Sequence, residues 1–201
     1  MSTTTTWKLD PAHTDILFSA KHMMITTVRG TFTDVDGILE IDETNPLSAR
    51  GEIKVQAASL DTGVVARDTH LRSADFFDVE RFPEIVIQFA EVDQVKPDEY
   101  RVAADLTIRG ITRQVTFEVE PVGETTNFGG NRHIAFAAQA TLNRDDWGLN
   151  WNRALESGGW LVGKDIKLNV EVVADEVVAD EAVPAPATAG KPGRELAGSA
   201  R

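Results

Sequence analysis

Tyr100-Arg101-Val102-Ala103-Ala104-Asp105-Leu106-Thr107-Ile108-Arg109 decides the fold class of this chain. Its even positions are apolar or small and its odd positions are mostly polar. That is the period of a strand with one face buried and the other in water. Gly110 ends it. Working outward, the same period returns on both sides. Val115, Phe117 and Val119 alternate with Thr116, Glu118 and Glu120, and Ile134, Phe136, Ala138, Ala140 and Leu142 share one face. The last such run sets Ile166, Leu168, Val170 and Val172 against Lys167, Asn169 and Glu171. Towards the N-terminus the pattern recurs at Ile85-Ile87-Phe89, at Ile53-Val55-Ala57, around Phe32, Val35 and Ile38–Ile41, and at Ile16-Phe18-Ala20-His22. Asp36-Gly37, Asn45-Pro46, Lys96-Pro97-Asp98 and the Gly-rich run from Asn127 to Asn131 read as turns, bulges or loops between them. About eight alternating strands joined mostly by short turns predict an antiparallel sheet, closed as a barrel or folded as two layers. At roughly 3.3 Å per residue and a tilt near 40°, the central strand would make a barrel about 25 Å tall.

One stretch breaks the period. From Thr62 to Asp78, Val64, Asp68 and Leu71 fall on one helical face, with Arg67, His70 and Ala74 beside them. The segment is a charged helical insert that ends in Phe76-Phe77 and is closed by Arg81-Phe82-Pro83.

Composition narrows the function. The 201 residues are 42% hydrophobic, enough for one sizeable core. With no cysteine, disulfides, thiolate metal sites and a cysteine nucleophile are excluded. A net charge of −12 disfavours nucleic acid and docking on anionic membranes. Met1–Trp7 has neither a basic stretch nor an apolar core, so no secretory signal is read there. No apolar run is long enough to span a bilayer, and no membrane insertion is expected. The expected location is cytoplasmic. Residues 1–6 read as a flexible N-terminus, 7–173 as the folded domain, and 174–201 as a disordered acidic tail rich in Ala and Pro.

Candidate chemistry is sparse. His13, His22, His70 and His133 fall in no metal-ligand spacing, so no metal site is expected. No G-x-S-x-G motif is present, and Glu84 with Glu91, or Asp145 with Asp146, read as solvated faces. Arg67 and His70 share a helical face that suits a phosphate, a carboxylate or a quinone oxygen, or else a surface ion network. Arg144 stands before Asp145 and Trp147-Gly148, either capping a strand or at a cavity rim. Inward positions mix Ala20, Ala57, Ala104, Ala138 and Ala140 with Phe18, Phe89, Phe117 and Phe136. Such a lining either fills a tapering barrel or leaves room for one long apolar ligand.

These residues fall into a pattern. Leu9-Asp10-Pro11-Ala12-His13-Thr14, Lys21-His22-Met23 and Val28-Arg29-Gly30-Thr31-Phe32 resemble the N-terminal signature of the YceI-like family. Arg67-Asp68-Thr69-His70-Leu71-Arg72-Ser73-Ala74-Asp75-Phe76-Phe77-Asp78 resembles its most specific block. Leu106–Arg113 and Leu142–Gly148 are similar to its later ones, and the likeness runs from about Trp7 to Val173. The resemblance implies an extended eight-stranded lipocalin-like barrel with a short helical insert at one end. It also implies a polyisoprenoid, such as an isoprenoid quinone or prenyl phosphate, or another long lipid in the lumen. On that basis the ligand chain is expected among Phe18, Ala20, Ile53, Ile87 and Phe89, with Leu106, Phe117, Phe136 and Ala138, and Phe76 and Phe77 turned inward. The head group is expected near His13, Arg67, His70 or Arg144. No cofactor beyond that lipid and no catalysis are expected, and a homodimer is compatible with the reading. The rivals are a packed barrel serving as a stress-response interaction module, and an enzyme acting on a lipid or quinone with His70 as general base.

Overall fold

Strand pairing follows chain order around a closed barrel in the computed structural model of the protein, which describes residues 4–126, 130–156 and 158–178. The first half of the chain supplies β1 (Thr4–Leu9), β2 (Asp15–His22), β3 (Thr26–Phe32), β4 (Val35–Asp42), β5 (Arg50–Gln56) and the two-residue β6 (Leu60–Asp61). One helix, α1 (Val65–Arg72), separates these from β7 (Glu84–Lys96), β8 (Glu99–Ile108), β9 (Ile111–Thr126), β10 (Arg132–Asn143) and β11 (Val162–Glu176). β1 pairs with β4 while β2 pairs with β3, and β4 pairs with β5 while β3 pairs with β6. The first six strands are therefore three staves, each broken once, and with β7 to β11 they make eight. All pairings are antiparallel, and β11 returns to the first stave to close the barrel.

Each break has a local cause. Between β1 and β2, Pro11 cannot donate to a ladder, so the chain leaves the sheet over Asp10–His13. Val173 opposite would lose its partners there. Asp10 N donates to Val173 O at 2.8 Å. The Thr14 hydroxyl accepts from Val173 N and donates to Val173 O, both at 3.2 Å. A side chain thus stands in for a strand residue. The second stave breaks at Thr33-Asp34, not at Asp36-Gly37. Gly37 lies inside β4 opposite Ile53, and a Cβ there would meet Glu52 O at 2.7 Å. The glycine marks close approach of two backbones rather than a turn.

The expected central strand is β8, and its hairpin to β9 turns on Arg109 and Gly110 at φ 52° and 70°, the left-handed pair that suits a two-residue loop. Both ends of the barrel extend past the boundaries read from composition. Thr4–Thr6 belong to β1, and β11 continues to Glu176 through Leu9↔Ala174 and Trp7↔Glu176. Closure explains this, because Ala174 and Trp7 are fully buried where the seam shuts. The rest of the expected tail, from 179 on, and residues 1–3 lie outside the described residues, as do 127–129 of the Gly-rich loop.

Below β5 the wall has a gap, since β6 pairs with β3 but not with β7. Residues 62–83 fill it. The helix is only two turns long and has no side-chain N-cap, so its own propensity cannot hold it. Side-chain bonds pin it instead. Buried Asp68 accepts from Thr62 N at 3.0 Å and from the Thr62 hydroxyl. Arg67 Nε donates to Thr62 Oγ1 at 2.7 Å and Nη2 to Thr62 O at 2.8 Å. Arg72 Nε donates to Ala58 O at 2.8 Å and its Nη2 to Leu60 O. Among the described residues, no helix is long and apolar enough to cross a membrane.

Candidate functional site: an apolar lumen in two compartments

The barrel is not filled. A lower cavity of about 530 Å³ lies towards α1 and the β10–β11 connection, and an upper one of about 290 Å³ lies towards the opposite rim. Ile87 lines both. All eleven residues expected along the ligand chain border one or the other. Phe18, Ala20, Phe76, Phe77 and Leu106 face the lower cavity, and Ile53, Phe89, Phe117, Phe136 and Ala138 the upper, with Ile87 between. Alanine is only part of the reason for the space. Ala57, Ala104 and Ala140 border neither cavity, and Ala104 is fully buried opposite Phe89 in the β7–β8 ladder. Glycine contributes as well. A Cβ on Gly30 would sit 2.4 Å from the tip of the Phe18 ring, and one on Gly51 3.1 Å from Phe89. Both rings lie on bare backbone, against the wall rather than across the lumen.

The insert joins the barrel through an aromatic chain. Phe32 lies tilted at 43° against Phe18, centroids 5.3 Å apart, and meets Phe77 edge-on at 5.7 Å. On the other flank, His70 stands edge-on to Phe76 at 5.1 Å and to Trp151 at 4.5 Å, and its Nε2 lies 2.9 Å from Asp75 Oδ2. Both His70 and Arg67 line the lower cavity.

Arg144 also borders that cavity, but its guanidinium is engaged. It is buried, with Nε donating to Gly163 O at 3.0 Å, Nη1 to Leu149 O and Nη2 to Val162 O at 3.5 Å. Burial pushes its pKa below the ordinary guanidinium value. It fastens the β10–β11 connection to the start of β11. His13 does not border either cavity. The Asp10-Pro11 turn puts it on the outer surface, where Nδ1 lies 2.6 Å from Asp10 Oδ2 with 72% of the side chain exposed. That hydrogen bond raises the His13 pKa and lowers that of Asp10.

The β10–β11 connection closes the lower cavity, a role not read from the sequence. Trp147 is buried, and its indole N–H donates to Leu106 O at 3.0 Å. Asn152 pairs with both backbone groups of Val162, at 2.7 and 3.0 Å, as a strand neighbour would. Trp147, Leu149 and Trp151 line the cavity. The signal was three tryptophans in a turn-rich stretch, visible in the sequence but without a partner to place them.

A barrel of this outline matches a known domain: the YceI-like domain covers residues 7–174. The chain belongs to the YceI-like family. A UPF0312 protein of Staphylococcus aureus is 36% identical over 164 residues, 81% of this chain and 93% of that one. A UPF0312 protein of Staphylococcus epidermidis is 37% identical over the same length and shares. Among solved structures, Burkholderia cenocepacia BcnA superposes with a TM-score of 0.72 at 17% identity, over 82% of this chain and 98% of that one. A Campylobacter jejuni YceI protein gives 0.67 at 24%, over 79% and 90%. A polyisoprenoid binding domain from Saccharophagus degradans gives 0.59 at 12%, over 85% and 98%. At these identities the solved structures establish the shared YceI-like barrel. What sets the lower cavity apart is its polar lining. Lys21, His22, Arg67, His70 and Arg144 border it, and among the described residues no hydroxyl and no carboxylate does.

Proposed function

We propose that this YceI-like barrel binds a long-chain amphiphile, of the polyisoprenoid class, with the chain in the lumen and an anionic head group in the lower cavity. The observation that carries the reading is the asymmetry of the lining. Both compartments are walled by apolar side chains and share Ile87, and among the described residues every ionisable group lining the lower one is basic. Burying the chain contributes about 0.8 kcal/mol per CH₂, less the cost of ordering it. Arg67 and His70 are the head-group ligands in this reading: Arg67 gives Nε and Nη2 to Thr62 and keeps Nη1, whereas all three guanidinium nitrogens of Arg144 bond carbonyls and His13 faces outward. A prenyl phosphate suits such a site better than a neutral quinone. The polyisoprenoid binding domain with the same fold supports the class of ligand.

The role is binding, storage or transport rather than catalysis. His70, the residue that would serve as general base, is bonded to Asp75 and flanked by two aromatic rings, but among the described residues the cavity lining offers no hydroxyl for it to activate. Native mass spectrometry of the gently purified protein tests the reading. An adduct with the mass of a prenyl lipid, or uptake of added prenyl phosphate, is expected. A protein that is empty and also ignores both prenyl phosphates and prenyl quinones would rule it out.

A further inference from the structure

The lower rim carries apolar side chains in water. Met24 is 58% exposed, Ile25 77% and Trp160 50%, with Met23 beside them at 44%. They form one tip. Met23 N donates to Leu161 O at 2.8 Å, and a Cβ on Gly159 would touch Met24. Across the cavity mouth the start of α1 adds Val64 and Val65, the latter 83% exposed. Val64 lines the same cavity as Lys21, His22 and Leu161, so the start of the helix and the base of the tip border one cavity.

Two further observations single out this tip. Met23 and Met24 both adopt left-handed backbone, at φ 50° and 63°. That geometry favours Asn and Gly, the residues of tight hairpin turns, and here it falls in the three-residue connection Met23-Met24-Ile25, where Ile25 N donates to His22 O at 3.2 Å. Two methionines there gain nothing for the fold that Asn-Gly would not supply. Strain of this kind is kept where the side chains have another use. The second observation is charge. Between Asp15 and Asp34 the chain holds Lys21, His22 and Arg29 and no carboxylate, in a protein of net charge −12. Arg153, whose carbonyl accepts from Leu161 N, adds another exposed cation beside Trp160. Glu156 lies in the same stretch of the connection, so Lys21, Arg29 and Arg153 stand against one carboxylate, and the tip with that stretch keeps a positive balance within a protein of net charge −12.

We infer that the β2–β3 turn with Trp160 is a membrane-docking tip, which seats the cavity mouth on an anionic lipid surface. Apolar side chains enter the interface and the flanking cations meet lipid head groups, as in other peripheral anchors. Docking would bring the lumen to the only phase in which a long amphiphile is freely available. The inference does not require that the lumen be occupied.

The test is co-sedimentation of the full chain with vesicles of phosphatidylcholine, with and without phosphatidylglycerol. Binding is expected to the phosphatidylglycerol vesicles, falling as salt is added. The double variant Met23→Asn, Met24→Gly keeps the turn and removes the apolar tip. It should melt no lower than the native protein and lose about tenfold or more in vesicle affinity, the scale expected from withdrawing two large apolar side chains. Arg153→Glu should weaken binding to the phosphatidylglycerol vesicles alone. No co-sedimentation with either vesicle, equal binding to both, or unchanged binding by the double variant would each overturn the inference. So would light scattering that shows a dimer of this chain which the Met23→Asn, Met24→Gly variant turns into a monomer. Uptake of prenyl phosphate from detergent is measured separately. A protein that takes up the lipid but ignores vesicles loses this inference alone, and one that binds vesicles but takes up nothing loses the ligand reading alone.

Discussion

The two ends of the barrel are built differently. Around the upper cavity Tyr100 is the one lining side chain that can make a hydrogen bond among the described residues. Above it, Arg132 is held by Glu43 and Glu124, each at 2.6 Å, and lies over the Trp7 ring at 5.1 Å. Those carboxylates raise its pKa further. Long ladders between β7, β8, β9, β10 and β11 reach this end, shifted in register only at Ala135/Phe136, Phe89/Glu91 and Gln94/Lys96. The lower end has no such ladder on its insert side. It is assembled from a two-turn helix and a long connection, each fixed by side chains that bond single backbone atoms. A stave wall shares its load over many bonds of about 1 kcal/mol net each. A pinned flap rests on a few, and those few can be removed one at a time. In the proposed reading, the end built in that way admits the ligand and the upper end receives the tail of its chain.

Breaking a pin should therefore hurt more than trimming a ladder. Arg144→Ala strands the carbonyls of Gly163 and Leu149 in the interior, and should cost about 3 kcal/mol in a urea titration. A loss below about 1 kcal/mol would mean that water reaches those carbonyls and the connection is not pinned. Asp68→Ala frees Thr62 and should cost about 2 kcal/mol, with amide exchange rising across 62–83 but not in β8 to β10. Uniform acceleration would contradict the contrast between the ends. Cavity filling sharpens the same contrast. Ala138→Phe in the upper cavity should weaken a long prenyl phosphate by about tenfold, or about 1.4 kcal/mol, and leave a short one untouched. Ala20→Phe in the lower cavity should weaken both. The smallest effect belongs to His13, outside the lumen. Its pKa is raised above 6.5 by Asp10, so its contribution to stability is full below that value and fades as pH rises through the raised one. Asp10 is lowered, so its share is present above 3.8 and fades as pH falls through the lowered value. An NMR titration should find His13 above 6.5, and addition of a prenyl phosphate should not move it.

Most of the lumen could be read from the chain because a strand's alternation names its inward face without reference to any neighbour. Phe18, Ile53, Ile87, Phe89, Leu106, Phe117 and Phe136 follow from period two alone. The head-group candidates were less legible. His13, Arg67, His70 and Arg144 are the same kind of signal in sequence, a cation beside an apolar run. Their fates differ because Pro11 turns His13 outward, Thr62 anchors Arg67, and Arg144 meets three carbonyls. Lys21 and His22 also border the cavity; His22 shares the alternating face of Phe18 and Ala20, but neither was among the head-group candidates.

By itself the sequence determined what is local: the period of each strand, the strand end at Gly110, the helical spacing of the insert, and the absence of thiol chemistry. Tertiary structure decided what depends on residues far apart in the chain. It joined six short strands into three staves, drew β1 and β11 together over Ala174, and left the lumen open by laying Phe18 and Phe89 on glycines of neighbouring strands. It also gathered the basic groups on the lower cavity of an acidic protein. Alternation is encoded residue by residue, whereas a cavity is the space that several distant side chains fail to fill, and no single stretch of chain contains it.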